Sequence, residues 1–93
     1  MSNNQKFESS MFEYCSGQAE RAYKLLEDGD TENSLVFLGH LADVLQLLVE
    51  SKNTQGIVSI NSFANSVKEL SEEDRDQIYT HFQEVGFGQY IPE

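Results

Sequence analysis

The stretch SLVFLGHLADVLQLLVE, residues 34–50, decides how this chain folds. Its apolar positions Leu35, Leu38, Leu41, Ala42, Leu45, Leu48 and Val49 recur at intervals of three and four, the period of an α-helix. The spacing predicts a helix over about residues 33–51 with that stripe against a core. Val36, Phe37, Val44 and Leu47 project onto an adjoining flank around His40, so the apolar arc covers about two thirds of the circumference. A helix this broadly apolar is either wrapped by neighbours or offers one flank to a partner. A chain of 93 residues has little material for wrapping it on every side, which makes the flank a candidate binding surface. Gly39, His40, Asp43 and Gln46 interrupt the run, and from Leu35 to Val49 it is shorter than a bilayer span, so no membrane role is expected.

Upstream, Phe7, Met11, Tyr14, Cys15, Ala22, Leu25 and Leu26 follow the same period and predict a helix over about residues 6–27, preceded by a flexible terminus at residues 1–5. Gly17 falls on its polar face, and Asp28-Gly29-Asp30 ends it. Thr31 or Asn33 is the candidate cap of the central helix, with the Glu32 carboxylate near its exposed amides. Downstream, Lys52 to Ser59 reads as a connector, and Ile57-Val58-Ser59-Ile60 as an extended piece. Asn61 or Ser62 opens a short helix carrying Phe63, Val67 and Leu70. Ser71 and the acidic Glu72-Glu73-Asp74 open the last one, about residues 72–84, which Ile78, Tyr79, Phe82 and Val85 line and Gly86-Phe87-Gly88 ends. The expectation is an all-α fold, a compact single domain over residues 1–93 built as a bundle of four to five short helices.

Six basic residues against sixteen acidic ones give a net charge of −10. The acidity is spread along the chain and forms no tail. Such a surface repels phosphate backbones and anionic membranes, which excludes direct nucleic-acid binding, and it steers association with a basic protein surface. Cys15 is the single cysteine, so no internal disulfide is expected, and the Met-Ser-Asn-Asn start lacks the features of a signal peptide; a cytoplasmic protein is expected.

The residues that carry chemistry form no familiar constellation. His40 and His81 belong to no zinc spacing, and the His40–Asp43 pair is at most a fragment of a metal site. The acidic run at residues 72–76 lacks the alternating ligands and central glycine of a calcium loop, and Gly86-Phe87-Gly88 lacks the Lys-Ser/Thr of a phosphate loop. Cys15, on the apolar face of its helix, reads as a core residue. His40 lacks the cationic neighbour of a phosphotransfer histidine. Neither an enzyme nor a cofactor or metal protein is expected.

Asn61-Ser62-Phe63, Val67, Glu69-Leu70, Glu73-Asp74, Phe82, Glu84, Gly86-Phe87 and Tyr90 resemble, with ungapped spacing from Asn61 through Glu84, the C-terminal half of the AsiA-type anti-sigma proteins of T-even-like bacteriophages. The resemblance implies an all-helical protein that binds the C-terminal region of the host's primary sigma factor and blocks or redirects promoter recognition by RNA polymerase. In that family the sigma-binding surface lies mainly in the N-terminal helices. There this sequence departs from the pattern, so no contact residue is carried over.

The residues supply their own candidates. Val36, Phe37, His40, Val44 and Leu47 on the central helix and Phe12 and Tyr23 on the first are the expected partner-binding positions. The same surface is expected to form a homodimer when no partner is present. The competing reading is an acidic DNA-mimic or immunity-type inhibitor that covers a nucleic-acid-binding enzyme with its carboxylates.

Overall fold

Each helix begins at a side chain that takes up its free amides. The computed structural model describes Met1–Glu93 and is all-α: α1 covers Asn3–Glu27, α2 Thr31–Glu50, α3 Ile60–Ser66 and α4 Glu72–Glu84, with 3₁₀ turns at Val67–Glu69 and Gly88–Tyr90. The Ser2 hydroxyl accepts from the Gln5 N–H at 3.2 Å, while the Gln5 side chain accepts from the Ser2 N–H at 2.9 Å. This reciprocal cap starts α1 earlier than the apolar stripe indicates, and residues 3–5, expected to be flexible, form its first turn. Gly29, at φ 84°, turns the chain into α2. Asp30, rather than Thr31 or Asn33, is the cap there, accepting from the Asn33 N–H at 3.2 Å. Ser59 caps α3, which starts at Ile60, one or two residues ahead of the expected Asn61 or Ser62. Ser71 caps α4 as expected, and the bounds of α4 are those the sequence indicated.

The 25 residues of α1, at about 1.5 Å each, account for most of the molecule's 41 Å long axis. Around its first half lies an aromatic centre. The Phe7 ring stands 5.6 Å from Phe63, 4.8 Å from Phe82 and 5.4 Å from Phe87, all tilted or edge-on, the arrangement favoured by ring quadrupoles. Met11, Cys15, Val44, Leu47, Leu48, Val58, Ile60, Ala64, Val67 and Ile78 complete this core.

The connector after α2 is held by α1. Asn4 Oδ1 accepts from the Ile60 N–H and Glu8 Oε2 from the Val58 N–H, each at 3.1 Å. These side chains satisfy extended backbone that has no sheet to join; only an isolated antiparallel bridge links Lys52 with Val58.

Helix α2 is rotated relative to the sequence expectation. Its buried residues are Ser34, His40, Val44, Leu47 and Leu48, with Phe37 and Leu41 half-buried. Leu35, Leu38, Ala42, Leu45 and Val49, expected in the core, face outward. The polar residues decide the rotation because their partners are inside. The Ser34 hydroxyl donates to the Ala22 carbonyl at 2.7 Å, and His40 is enclosed between Tyr14 and Asp74.

Candidate functional site

The outward residues Leu35, Leu38, Ala42, Leu45 and Val49 are spaced three, four, three and four apart, a heptad seam. The four large ones are between 44% and 67% exposed. On α1 the exposed Phe12, Ala19, Tyr23 and Leu26 form a second stripe of the same kind.

Both stripes lie on one side of the α1–α2 hairpin. The contacts Ala22–Ser34 and Tyr14–His40 run in opposite chain directions, so the two helices are antiparallel. At about 100° per residue, α1 presents in turn a side toward α4, where Tyr14 meets the His81 ring at 4.9 Å, a side toward α2 at Ala22, and then its stripe. Around α2, in the opposite sense as antiparallel packing requires, come His40 toward Asp74 of α4, Ser34 toward α1, and then its stripe. The face turned away from α4 is therefore apolar on both helices. Exposed carboxylates edge it, Glu20 and Glu27 along α1 and Glu32, Asp43 and Glu50 along α2. By length and composition α2 is long and apolar enough to cross a membrane, since it continues beyond the Leu35–Val49 run at both ends; in this fold its other face is packed on α1.

Of the seven residues expected at a partner surface, Phe12 and Tyr23 stand on this face. Val36 is exposed but lies on the His40 side of α2, away from the seam, and Phe37 is half-buried. His40, Val44 and Leu47 are buried and offer no surface, a correction that follows from the rotation of α2. The residues that take their place are Leu35, Leu38, Leu45 and Val49. Their heptad spacing was visible in the sequence, but it reads equally well as a core stripe.

Behind this face, a polar chain ties three helices together. The Tyr14 hydroxyl of α1 hydrogen-bonds His40 Nε2 of α2, and His40 Nδ1 lies 3.0 Å from Asp74 Oδ1 of α4. The second contact is off the N–H direction and is electrostatic rather than an aligned hydrogen bond. Burial, with the charges of Cys15 and Asp74, pushes the Tyr14 phenol up to about 12, which leaves it a weak acid and a firm hydrogen-bond donor. Burial also raises the Cys15 thiol, which keeps it protonated and inert as a nucleophile near neutral pH.

A cleft of about 590 Å³ opens between α1 and α4, lined by Glu13, Tyr14, Gln18 and Arg21 on one wall and by Asp76, His81 and Glu84 on the other. Gly17 contributes to its depth, since the space a β-carbon would enter is open. The sequence reading passed over this cleft. Its signal is the row Tyr14, Gly17, Gln18 and Arg21, polar or small at helical spacing beside an apolar face. Comparison with protein families, with characterised proteins and with solved structures finds no match to this chain.

Proposed function

We propose that the protein is a cytoplasmic transcription regulator of the anti-sigma kind, which binds the C-terminal region of a bacterial primary sigma factor through its α1–α2 face and performs no covalent chemistry. The observation that carries the reading is the double apolar stripe edged by carboxylates. An apolar seam of heptad spacing accepts an amphipathic helix, and acidic borders favour a helix whose own borders are basic, as those of a DNA-binding domain are. The resemblance of residues 61–90 to AsiA-type proteins supports the same partner class. In that segment Phe63, Val67 and Phe82 are core residues and Ser71 is a cap, so the resemblance bears on the fold while the face lies on the other two helices.

Titration of a purified sigma C-terminal domain with the protein tests this. Binding at micromolar concentration, lost in Leu38→Asp and Leu45→Asp, is the expected result; no binding by the unaltered chain defeats the reading. In the free protein the same face is expected to pair with a second copy, and sedimentation at two concentrations measures that.

The rows of carboxylates also favour a second reading, an acidic mimic of nucleic acid that inhibits a nucleic-acid-binding enzyme. That mode is dominated by Asp and Glu and weakens steeply with salt. In the anti-sigma mode added salt mainly slows association, and apolar substitutions abolish binding.

A further inference from the structure

We propose that Gln18, Tyr14, His40 and Asp74 form a proton-operated clasp between α4 and the α1–α2 hairpin, in which a proton taken up by His40 reverses the hydrogen bonds along the row. With the imidazole neutral, the row runs outward from α1. Burial above all pushes the Tyr14 phenol up to about 12, so the hydroxyl keeps its proton and donates to His40 Nε2. That leaves the hydrogen of the neutral ring on Nδ1, which lies 3.0 Å from Asp74 Oδ1 without an aligned bond. Gln18, one turn on from Tyr14, directs a side-chain donor at the phenol oxygen, since its hydrogen bonding favours the ionised phenol. The other end of that amide, Oε1, is buried and has no partner. One poorly satisfied polar atom therefore sits at each end of the row, where water does not supply the lack, because Gln18 is 4% and His40 5% exposed.

A proton from solvent bound at Nε2 makes both ring nitrogens donors. The phenol oxygen then accepts from Nε2, its own hydrogen turns to the other side, and half a turn of the Gln18 amide brings Oε1 round to receive it. One proton has entered, the phenol keeps its own, and Oε1 gains the partner it lacks. At the far end the contact becomes an imidazolium on a carboxylate, a charge-assisted pair. A buried charge is tolerated only where it is paired, and the elements around the ring supply the pairing. From α4 comes Asp74, whose side chain is 22% exposed and pairs with no Lys or Arg. The His81 ring, also on α4, meets Tyr14 at 4.9 Å, and its burial disfavours its own charged form. From α1 comes Tyr14, with the Cys15 thiol and the exposed Arg21 acting on the phenol. On α2 itself Asp43 stands exposed one turn on. The clasp lies behind the α1–α2 face and does not depend on the sigma reading.

The test uses the full chain carrying His81→Gln, which leaves His40 as the single imidazole. NMR follows the His40 ring and the Gln18 side-chain amide from about pH 8 to about pH 5. The expected result is one transition with a common midpoint for both groups, and in Tyr14→Phe a Gln18 amide that no longer follows the ring. Urea unfolding of Asp74→Asn, His40→Gln and the double variant at the two ends of that range reads the grip on α4 independently of Tyr14→Phe. The coupling between His40 and Asp74, taken as a ratio of unfolding equilibrium constants, is expected to be about tenfold larger at the acid end. An imidazole that stays neutral until the chain unfolds, a Gln18 amide that moves apart from the ring or tracks it equally in Tyr14→Phe, or a coupling equal at both pH values overturns the proposal.

Discussion

His40 Nδ1 and Asp74 Oδ1 stand 3.0 Å apart across the junction of α2 with the first turn of α4, and the Tyr14 hydroxyl closes the other side of the imidazole. The ring is almost fully enclosed, so whatever its two nitrogens require comes from these two residues. Tyr14→Phe removes the hydrogen bond and leaves a buried nitrogen without a partner, at a cost of about 1–3 kcal/mol. Urea unfolding followed by circular dichroism measures this, and an unchanged midpoint would show that water replaces the phenol.

The pH dependence of stability has a component from His81. Burial holds its folded-state pKa below the ordinary 6.5, so the unfolded chain binds the proton more readily than the folded one. This contribution is complete above pH 6.5 and is lost as the pH falls from there through the folded-state value. His81→Gln removes the titration, and its stability is expected to fall less steeply on acidification than that of the parent chain. Parallel urea titrations at several pH values give the two slopes; equal slopes would assign the acid sensitivity to other groups.

At the alkaline end Tyr14 governs. Its phenol ionises at 10 in an unfolded chain and at about 12 in the fold. The raised value means that its share of stability is whole below pH 10 and is lost as the pH rises from 10 through 12. Burial also raises Tyr79, so of the four tyrosines two are expected to ionise late and return to the ordinary range on unfolding, and Tyr14→Phe removes the step near pH 12.

Most of the architecture was legible because it depends on local signals. Ser71 and the three carboxylates after it fix α4, and Asp28-Gly29-Asp30 marks the α1–α2 turn, whose Asp30 takes the capping role. The rotation of α2 was not legible, since apolar residues on both sides of a helix cannot tell inside from outside. What settles it is the burial of His40, a polar residue placed on the flank and whose partners, Tyr14 and Asp74, come from distant parts of the chain, together with the bond from Ser34 to the Ala22 carbonyl. The cleft was missed for a related reason. Gln18 and His81 are 63 positions apart, and only the packing of α4 on α1 brings them to one opening.

The aromatic centre sets the largest single-residue stability effect. Phe7 is fully buried and meets three other rings, so Phe7→Ala leaves a cavity that Phe63, Phe82 and Phe87 cannot fill without giving up their own contacts. A loss of about 3–5 kcal/mol is expected, a large share of the total stability of a domain this small. Phe7→Leu keeps much of the volume and is expected to cost markedly less. Thermal unfolding of both variants checks this, and equal losses would mean that ring geometry outweighs filled volume.

Leu45 and Leu47 lie two residues apart on α2 and, by the rotation of that helix, have opposite roles. Leu45 is 45% exposed on the outer seam, whereas Leu47 is 6% exposed in the core. Leu45→Asp is expected to change stability by no more than about 0.5 kcal/mol, as surface substitutions usually do, while weakening both self-association and partner binding. Leu47→Asp places a carboxylate among the apolar residues of the core and is expected to unfold the chain, at a cost above about 4 kcal/mol. The sequence pattern taken alone, with Leu45 in the core stripe and Leu47 on the flank, requires the reverse. Circular dichroism and sedimentation on the two variants separate the alternatives. A folded Leu47→Asp beside an unfolded Leu45→Asp would overturn the rotation of α2 and, with it, the face on which the proposed function rests.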